Sequence, residues 1–313
     1  MNYDYVELSK FVSKDKVYLD DLKHISSNIY GWENYSMTYN NTEVKISHNS
    51  NSNELKVCGS LPYFVEGQNF SNDMTKIKES IYIISDTIDT NLFEANVTHF
   101  EAGITFESPY TPIDVFNSHY SIKGMNTETY GKTGKVYKDS IKEIKLYYAG
   151  FNIKKKLSKE SRINLASEKG YKPEGKYIRF ESVYKKPEIY WKQRNISVKE
   201  LFKPEFIMKC KNDIYNTYTM INKEGIYTLP KDKRDCTLPV IELLALKELG
   251  VKYGFNPEEY IKQKIKSIPT SILTNEDKKN RKRSLSQLSK KLILNKDSCF
   301  DLGVIIKNKL QIE

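Results

Sequence analysis

Three residue types suited to phosphodiester chemistry stand on three separate strand-like segments: Glu101 in Ala95 to Phe106, Tyr147 in Ser140 to Tyr148, and Glu181 in Tyr177 to Tyr184. Strand alternation puts Phe100, Ala102, Ile104 and Phe106 on one face of the first segment, and His99, Glu101, Gly103 and Thr105 on the other. The same alternation groups Glu143, Lys145 and Tyr147 in the second segment, and Arg179, Glu181 and Val183 in the third. If these strands are neighbours, two carboxylates and a phenol converge on one sheet face. Carboxylate oxygens suit a hard divalent cation such as Mg2+ or Mn2+, which can polarise a phosphodiester. A phenol with an unperturbed pKa of about 10 needs such help before its oxygen attacks phosphorus. The product would be a phosphotyrosine bond, which keeps the linkage reactive for rejoining.

Other residues compete for roles. His99 lies on the Glu101 face and could join it on one metal; a structural histidine is the competing reading. A second phenol, Tyr190, follows the Glu181 strand on a short helix opened by Pro187, with Lys185, Lys186, Lys192 and Arg194 around it to hold a phosphate. An ordinary helix aromatic packed on the sheet is the alternative there. Arg179 could grip phosphate with two parallel hydrogen bonds or pair with a carboxylate inside the sheet. The four histidines stand alone, so HExxH and the His-hydrophobe-His pair of many single-strand endonucleases are absent. No histidine has an Arg three residues later, as a tyrosine recombinase would want. The cysteines Cys58, Cys210, Cys236 and Cys299 lie too far apart for a metal knuckle, which predicts reduced thiols.

The charge indicates the partner. Residues 1–150 hold 14 Lys, no Arg and 20 Asp/Glu, while residues 151–313 hold 36 basic and 20 acidic residues, so the halves carry −6 and +16. An excess concentrated in one half is what a polyanion surface needs, because each neutralised phosphate releases counterions. DNA is the leading expectation, against a lysine-rich composition from an AT-rich genome. Candidate phosphate contacts are Lys154, Lys155 and Lys156, which open the basic stretch to Lys169, and the run Lys278, Lys279, Arg281, Lys282 and Arg283, read either as a helix entry or as a solvated linker.

The elements that must position these groups read as an α+β fold: an N-terminal, mostly antiparallel sheet with flanking helices, then a helical C-terminal region. A hairpin is expected over residues 43–58, with its turn at His48 to Asn53. A helix follows over Met74 to Thr87, with Ser71, Asn72 and Asp73 as cap candidates. Further helices are expected over Ile113 to Tyr120, Lys154 to Lys169 and Pro187 to Arg194. No Gly-rich phosphate loop stands at a strand-to-helix junction. From Ser197 the helical segments are Ser197 to Asp213, Val240 to Leu249, Pro257 to Ser267 and Ser284 to Leu294, punctuated by prolines. The expected division is a catalytic domain over 1–195 and a basic, helical DNA-binding region over 196–313. No apolar run reaches the roughly 18–20 residues of a membrane span, and the start lacks an apolar signal core. A soluble protein of a cytoplasm is expected.

Several blocks resemble, in order, the replication initiators of filamentous phages. They are Gly59 to Asn69 (GSLPYFVEGQN), Val97 to Ala102 (VTHFEA), Ile144 to Tyr147 (IKLY), Tyr177 to Glu181 (YIRFE) and Ser197 to Phe206 (SVKELFKPEF). A more distant likeness is to staphylococcal plasmid rolling-circle initiators, whose nucleophilic tyrosine comes about ten residues after the last strand's Glu; that position here is Tyr190. The resemblance covers residues 43–206. It departs at Ala149, where relatives carry Lys, and at Trp191, where plasmid relatives often carry a second Tyr. The resemblance implies a metal-dependent origin nickase of a phage or plasmid in a bacterial host cell. Tyr190 is then the first choice of nucleophile, Tyr147 the runner-up, and Glu101 and Glu181 the metal ligands. It implies origin duplex and single-stranded DNA as substrates, the host replication machinery as partner, and a second tyrosine or a second subunit, as in a homodimer, to close the circle. The competing readings are a non-catalytic DNA-binding initiator or regulator and a nuclease that uses metal-bound water.

Overall fold

A computed structural model describes residues 1–70, 73–131, 133–223, 226–253, 256–295 and 300–312. The chain begins with strands β1 (Asn2–Phe11), β2 (Lys23–Ser27), β3 (Trp32–Tyr39), β4 (Thr42–Asn49) and β5 (Glu54–Ser60), followed by helices α1 (Leu61–Glu66) and α2 (Met74–Thr87) and strand β6 (Asn96–Glu107). Next come α3 (Pro112–Ser118), β7 (His119–Ile122), β8 (Asn126–Thr129), β9 (Gly134–Lys138), β10 (Lys142–Tyr148), α4 (Ala149–Lys156), α5 (Lys159–Lys169) and β11 (Tyr177–Tyr184). The remainder is α6 (Pro187–Trp191), α7 (Val198–Leu201), α8 (Pro204–Thr219), β12 (Ile221–Lys223), β13 (Ile226–Thr228), α9 (Leu238–Tyr253), α10 (Pro257–Ser267), α11 (Asn275–Lys291), β14 (Ile293–Asn295) and α12 (Gly303–Leu310). The fold is α+β, with a large antiparallel sheet and helices prevailing toward the C-terminus. No described helix is long and apolar enough to cross a membrane.

Two compact units form. The first comprises Met1–Ser108, Lys138–Tyr218 and Gly303–Glu313; the second comprises Pro109–Tyr137 and Thr219–Leu302. The division therefore does not fall at residue 195. The reason is α8, whose Phe206, Cys210, Ile214 and Tyr218 recur every four residues and are all buried. The Phe206 ring lies 6.0 Å from Phe100, and Tyr218 lies edge-on to Phe180 at 5.5 Å, so this helix completes the core of the sheet.

In the first unit the strands lie in the order β2-β3-β4-β5-β1-β6-β11-β10, every neighbour antiparallel. The β4–β5 hairpin and the helix Met74–Thr87 stand where periodicity puts them. The Asp73 side chain accepts from the Thr75 amide as N-cap; Ser71 and Asn72 lie outside the described residues, as does Cys299. At β11 every residue is buried, so both faces are covered. One face carries Ile178, Phe180, Ser182 and Tyr184. The other carries Arg179, Glu181 and Val183, as alternation requires.

Three expectations shift. The helix expected over Lys154 to Lys169 is two helices: α4 starts at Ala149, the chain is extended at Leu157, and Ser158 caps α5 anew by accepting from the Ser161 amide. The helix expected from Ile113 to Tyr120 ends at Ser118, and His119 and Tyr120 begin a strand paired with β12. The helix expected to begin at Ser284 begins at Asn275. Thr274 and Asp277 form a capping box there, which places the basic run Lys278 to Arg283 inside the helix.

Candidate active site

Strand register assembles the site. Across β11 and β10, Glu181 lies opposite Lys145 and Arg179 opposite Tyr147. Across β11 and β6, Glu181 lies opposite Gly103 and Val183 opposite Glu101. Gly103 is the position that makes room: a Cβ there would stand 2.6 Å from Glu181 Cγ and 2.9 Å from the Phe180 carbonyl oxygen. The face expected to gather Glu101, Tyr147 and Glu181 does gather them. The Tyr147 phenol donates to Glu181 Oε1 at 3.2 Å, and Lys145 Nζ donates to Glu101 Oε1 at 2.8 Å.

A third carboxylate joins them from β1. Ligand oxygens of Asp4, Glu101 and Glu181 lie within 4.8 Å of one another. Asp4 is held by Ser60 Oγ at 2.7 Å and by Asn69 Nδ2 at 2.6 Å. The alternation reading missed Asp4 because β1 has no clean period of two. Its pairing with β6 shifts register between Tyr3 and Val6, so the core residues Tyr3, Val6 and Leu8 are spaced by three and then two.

Arg179 is 1% exposed and lies inside this cluster. Its Nε donates to Glu181 Oε1, one terminal nitrogen donates to Thr105 Oγ1 at 2.9 Å and to the Asn69 carbonyl at 3.1 Å, and the other donates to Asn2 Oδ1 at 2.9 Å and lies 3.3 Å from Asp4 Oδ2. Of its two expected roles, the fold realises the carboxylate pair within the sheet and leaves no outward guanidinium for a DNA backbone. His99 stands beside the cluster: its Nε2 is 4.0 Å from Glu101 Oε1 and its ring packs edge-on to Tyr5.

The electrostatics follow from burial and pairing. Burial pushes Glu181 up to about 7, with Asp4 and Glu101 adding to the rise and Arg179 and Lys145 opposing it. Burial also works to raise Glu101, but His99 and Lys145 outweigh it and hold this carboxyl below its ordinary value. The Tyr147 phenol is raised well above 10 by burial and then by the Glu181 charge. An unassisted Tyr147 is therefore a poor nucleophile, and cationic charge in the carboxylate cluster would reverse that shift. Three hard oxygen donors at this spacing fit Mg2+ or Mn2+, since metal–oxygen distances of about 2.0–2.6 Å put ligand oxygens on one ion within about 5 Å of each other. Against three carboxylates, Arg179 and Lys145 supply two cations, which leaves an acidic surplus for the ion.

Tyr190 is elsewhere. Its phenol donates to Asp213 Oδ1 and accepts from Lys142 Nζ at 2.9 Å; Lys142 also pairs with Asp213 Oδ2 and donates to Thr217 at 2.8 Å, and Tyr184 donates to the same Asp213 oxygen at 2.6 Å. Lys142 and Tyr184 are cross-strand partners on the core face, so Tyr190 and the carboxylate cluster occupy opposite faces of the sheet. Burial, and then the hydrogen bond to Asp213, raise the Tyr190 phenol as well. The sequence gave no signal for Asp213, which sits in a helical stretch 23 residues from its partner. Around Tyr190, Lys192 and Arg194 are exposed, as are Lys154 and Lys155 on α4; the Lys156 side chain lies outside the described ones. On α11, Lys279, Arg281 and Arg283 are exposed, and Lys278 and Lys282 are half-buried.

No family model matches the chain, and no curated protein or solved structure matches it either.

Proposed function

We propose that this protein cuts one strand of DNA at a phage or plasmid origin and holds the 5′ phosphate on a tyrosine. The freed 3′ hydroxyl would prime rolling-circle replication, and the phosphotyrosine bond would later be used to rejoin the strand. One observation carries the reading: the Tyr147 phenol is hydrogen-bonded to Glu181 beside a cluster of three carboxylates drawn from three strands. The ordered sequence blocks resembling phage and plasmid initiators support it, and so does the basic C-terminal half.

Asp4, Glu101 and Glu181 would hold Mg2+ or Mn2+, which supplies positive charge to the phosphate oxygens. Tyr147 Oη attacks phosphorus as the bond from phosphorus to the 3′ oxygen breaks. The phenolic proton passes to Glu181, which is already its hydrogen-bond acceptor, and the leaving 3′ oxygen takes a proton from water. Rejoining runs the exchange backwards: a 3′ hydroxyl attacks the phosphotyrosine, and the Tyr147 oxygen recovers its proton from Glu181. Arg179 fixes the Glu181 carboxylate and neutralises part of the buried charge.

A second reading keeps Tyr190 as the nucleophile. It is favoured by the Asp213 carboxylate that accepts from its phenol and by the Lys142 ammonium beside its oxygen. Incubating the purified protein with supercoiled DNA carrying random inserts and Mg2+ tests the shared claim. Relaxation that stops on chelation, with protein attached to the cut end, is expected. Intact DNA with protein bound would mean a non-catalytic binder, and cut DNA free of protein would mean attack by water.

A further inference from the structure

The second unit contains a small three-helix body whose parts are tied together tightly enough to present one surface. Val240 and Leu243 of α9 meet Leu285 of α11 and Leu292 just beyond it in one apolar cluster, with Ile261 of α10 packed against them. A polar clamp adds to this core. Glu258 on α10 pairs with Lys247 of α9 at 2.9 Å and accepts from Ser289 of α11. The Lys247 ammonium also lies 3.9 Å from the ring centroid of Tyr227 on β13. The chain leaving α11 returns as β14 and pairs antiparallel with β13, so both ends of α11 are held: by the capping box at Thr274 and by the strand pair after Lys291.

The charge on α11 is segregated. Its acids, Glu276 and Asp277, lie in the first turn, where they favour the helix dipole and, for Asp277, close the capping box. Every charged residue from Lys278 to Lys291 is basic. Lys279, Arg283, Gln287 and Lys290 are exposed and recur at spacings of four, four and three, which puts them on one stripe opposite the buried Leu285 and Leu292. A solvated helix needs no such arrangement: it is usually laced with both signs. A helix held at both ends, apolar on its inner face and bearing Lys, Arg and Gln on its outer face, has the form and charge to enter a DNA major groove.

We infer that α11 is a recognition helix for duplex DNA, with Arg283 and Gln287 at base edges and Lys279 and Lys290 on the flanking phosphates. The inference rests on the DNA reading above and adds to it the element that grips double-stranded DNA, separate from the carboxylate cluster. Lys278 and Lys282, half-buried toward the helix body, and Lys291, which pairs with Asp235 at 3.0 Å, are not part of the stripe.

The test uses the full-length protein, a labelled duplex of random sequence and the corresponding single strand, followed by anisotropy over a range of salt. Replacing Lys279, Arg283 and Lys290 together by Ala is expected to weaken duplex binding at least tenfold. It should lower the slope of log affinity against log salt by about 2–3, at roughly 0.9 per lost phosphate contact. Single-strand cutting with Mg2+ and the melting temperature should be unchanged, because all three side chains are exposed. A triple variant that binds duplex with unaltered affinity and slope overturns the inference, as does a wild-type protein that binds the single strand equally well or does not bind duplex at all. Loss of cutting alone, with duplex binding intact, would remove the nicking reading and leave this one standing.

Discussion

Tyr147 and Glu181 face one another from adjacent strands, phenol oxygen to carboxylate oxygen at 3.2 Å, with Glu181 buried and Tyr147 half-buried. The pair couples a candidate nucleophile to a carboxyl raised to about 7, close enough to neutrality to exchange a proton during a reaction.

The pH dependence of strand cutting follows from that pair. Glu181 accepts a proton only when ionised, so below about pH 7 the rate should fall about tenfold per pH unit, and above it the rate should level. Glu181→Gln should lower the rate by roughly 10²–10⁴-fold and abolish this limb of the profile. A variant that keeps the same limb would assign the ionisation to another group.

Gly103 is predicted to be intolerant of any side chain. The methyl of Gly103→Ala would press on Glu181 Cγ and the Phe180 carbonyl, and the cost of such overpacking is typically about 1–3 kcal/mol. Urea denaturation should show that loss. Because the clash displaces Glu181 itself, cutting should fall further than the stability loss explains at temperatures where the variant stays folded.

Asp213 is predicted to be a structural partner of Lys142. Lys142 is 4% exposed, and removing its counter-charge leaves a buried ammonium unpaired, which typically costs about 3–5 kcal/mol. Asp213→Ala should therefore melt at a clearly lower temperature, whereas Tyr190→Phe, which removes one hydroxyl, should cost about 1 kcal/mol and leave covalent capture of DNA intact. Loss of capture in a folded Tyr190→Phe variant would move the nucleophile to the core-face cluster.

The contrast between the two tyrosines shows what the sequence made legible. Period-two alternation located β6, β10 and β11 within a residue or two and grouped Glu101, Tyr147 and Glu181 correctly, because each strand there is regular and each face is covered by packing. Asp4 escaped because a register shift in β1 breaks its period, and Asp213 escaped because its partners Lys142 and Tyr184 approach it only through the packing of α8. Tyr190 was placed on the right helix, but the side of the sheet that a helix takes after a tight Pro187 turn is set by tertiary packing and leaves no periodic trace. The basic run before Ser284 looked like a linker because it is polar throughout. Only the capping box at Thr274 marks it as helix, and that box uses Asp, whose shorter side chain makes a weaker sequence signal than Glu.

The central claim, that Tyr147 is the nucleophile of a carboxylate-bound metal site, is tested most directly by trapping the covalent intermediate. The purified protein is incubated with a library of labelled single-stranded oligonucleotides and Mg2+, resolved by denaturing electrophoresis, and the adduct is mapped by peptide mass. The account predicts one adduct, on the peptide containing Tyr147, that disappears in Tyr147→Phe and when the metal is chelated. An adduct on Tyr190, or none with any sequence, would contradict it.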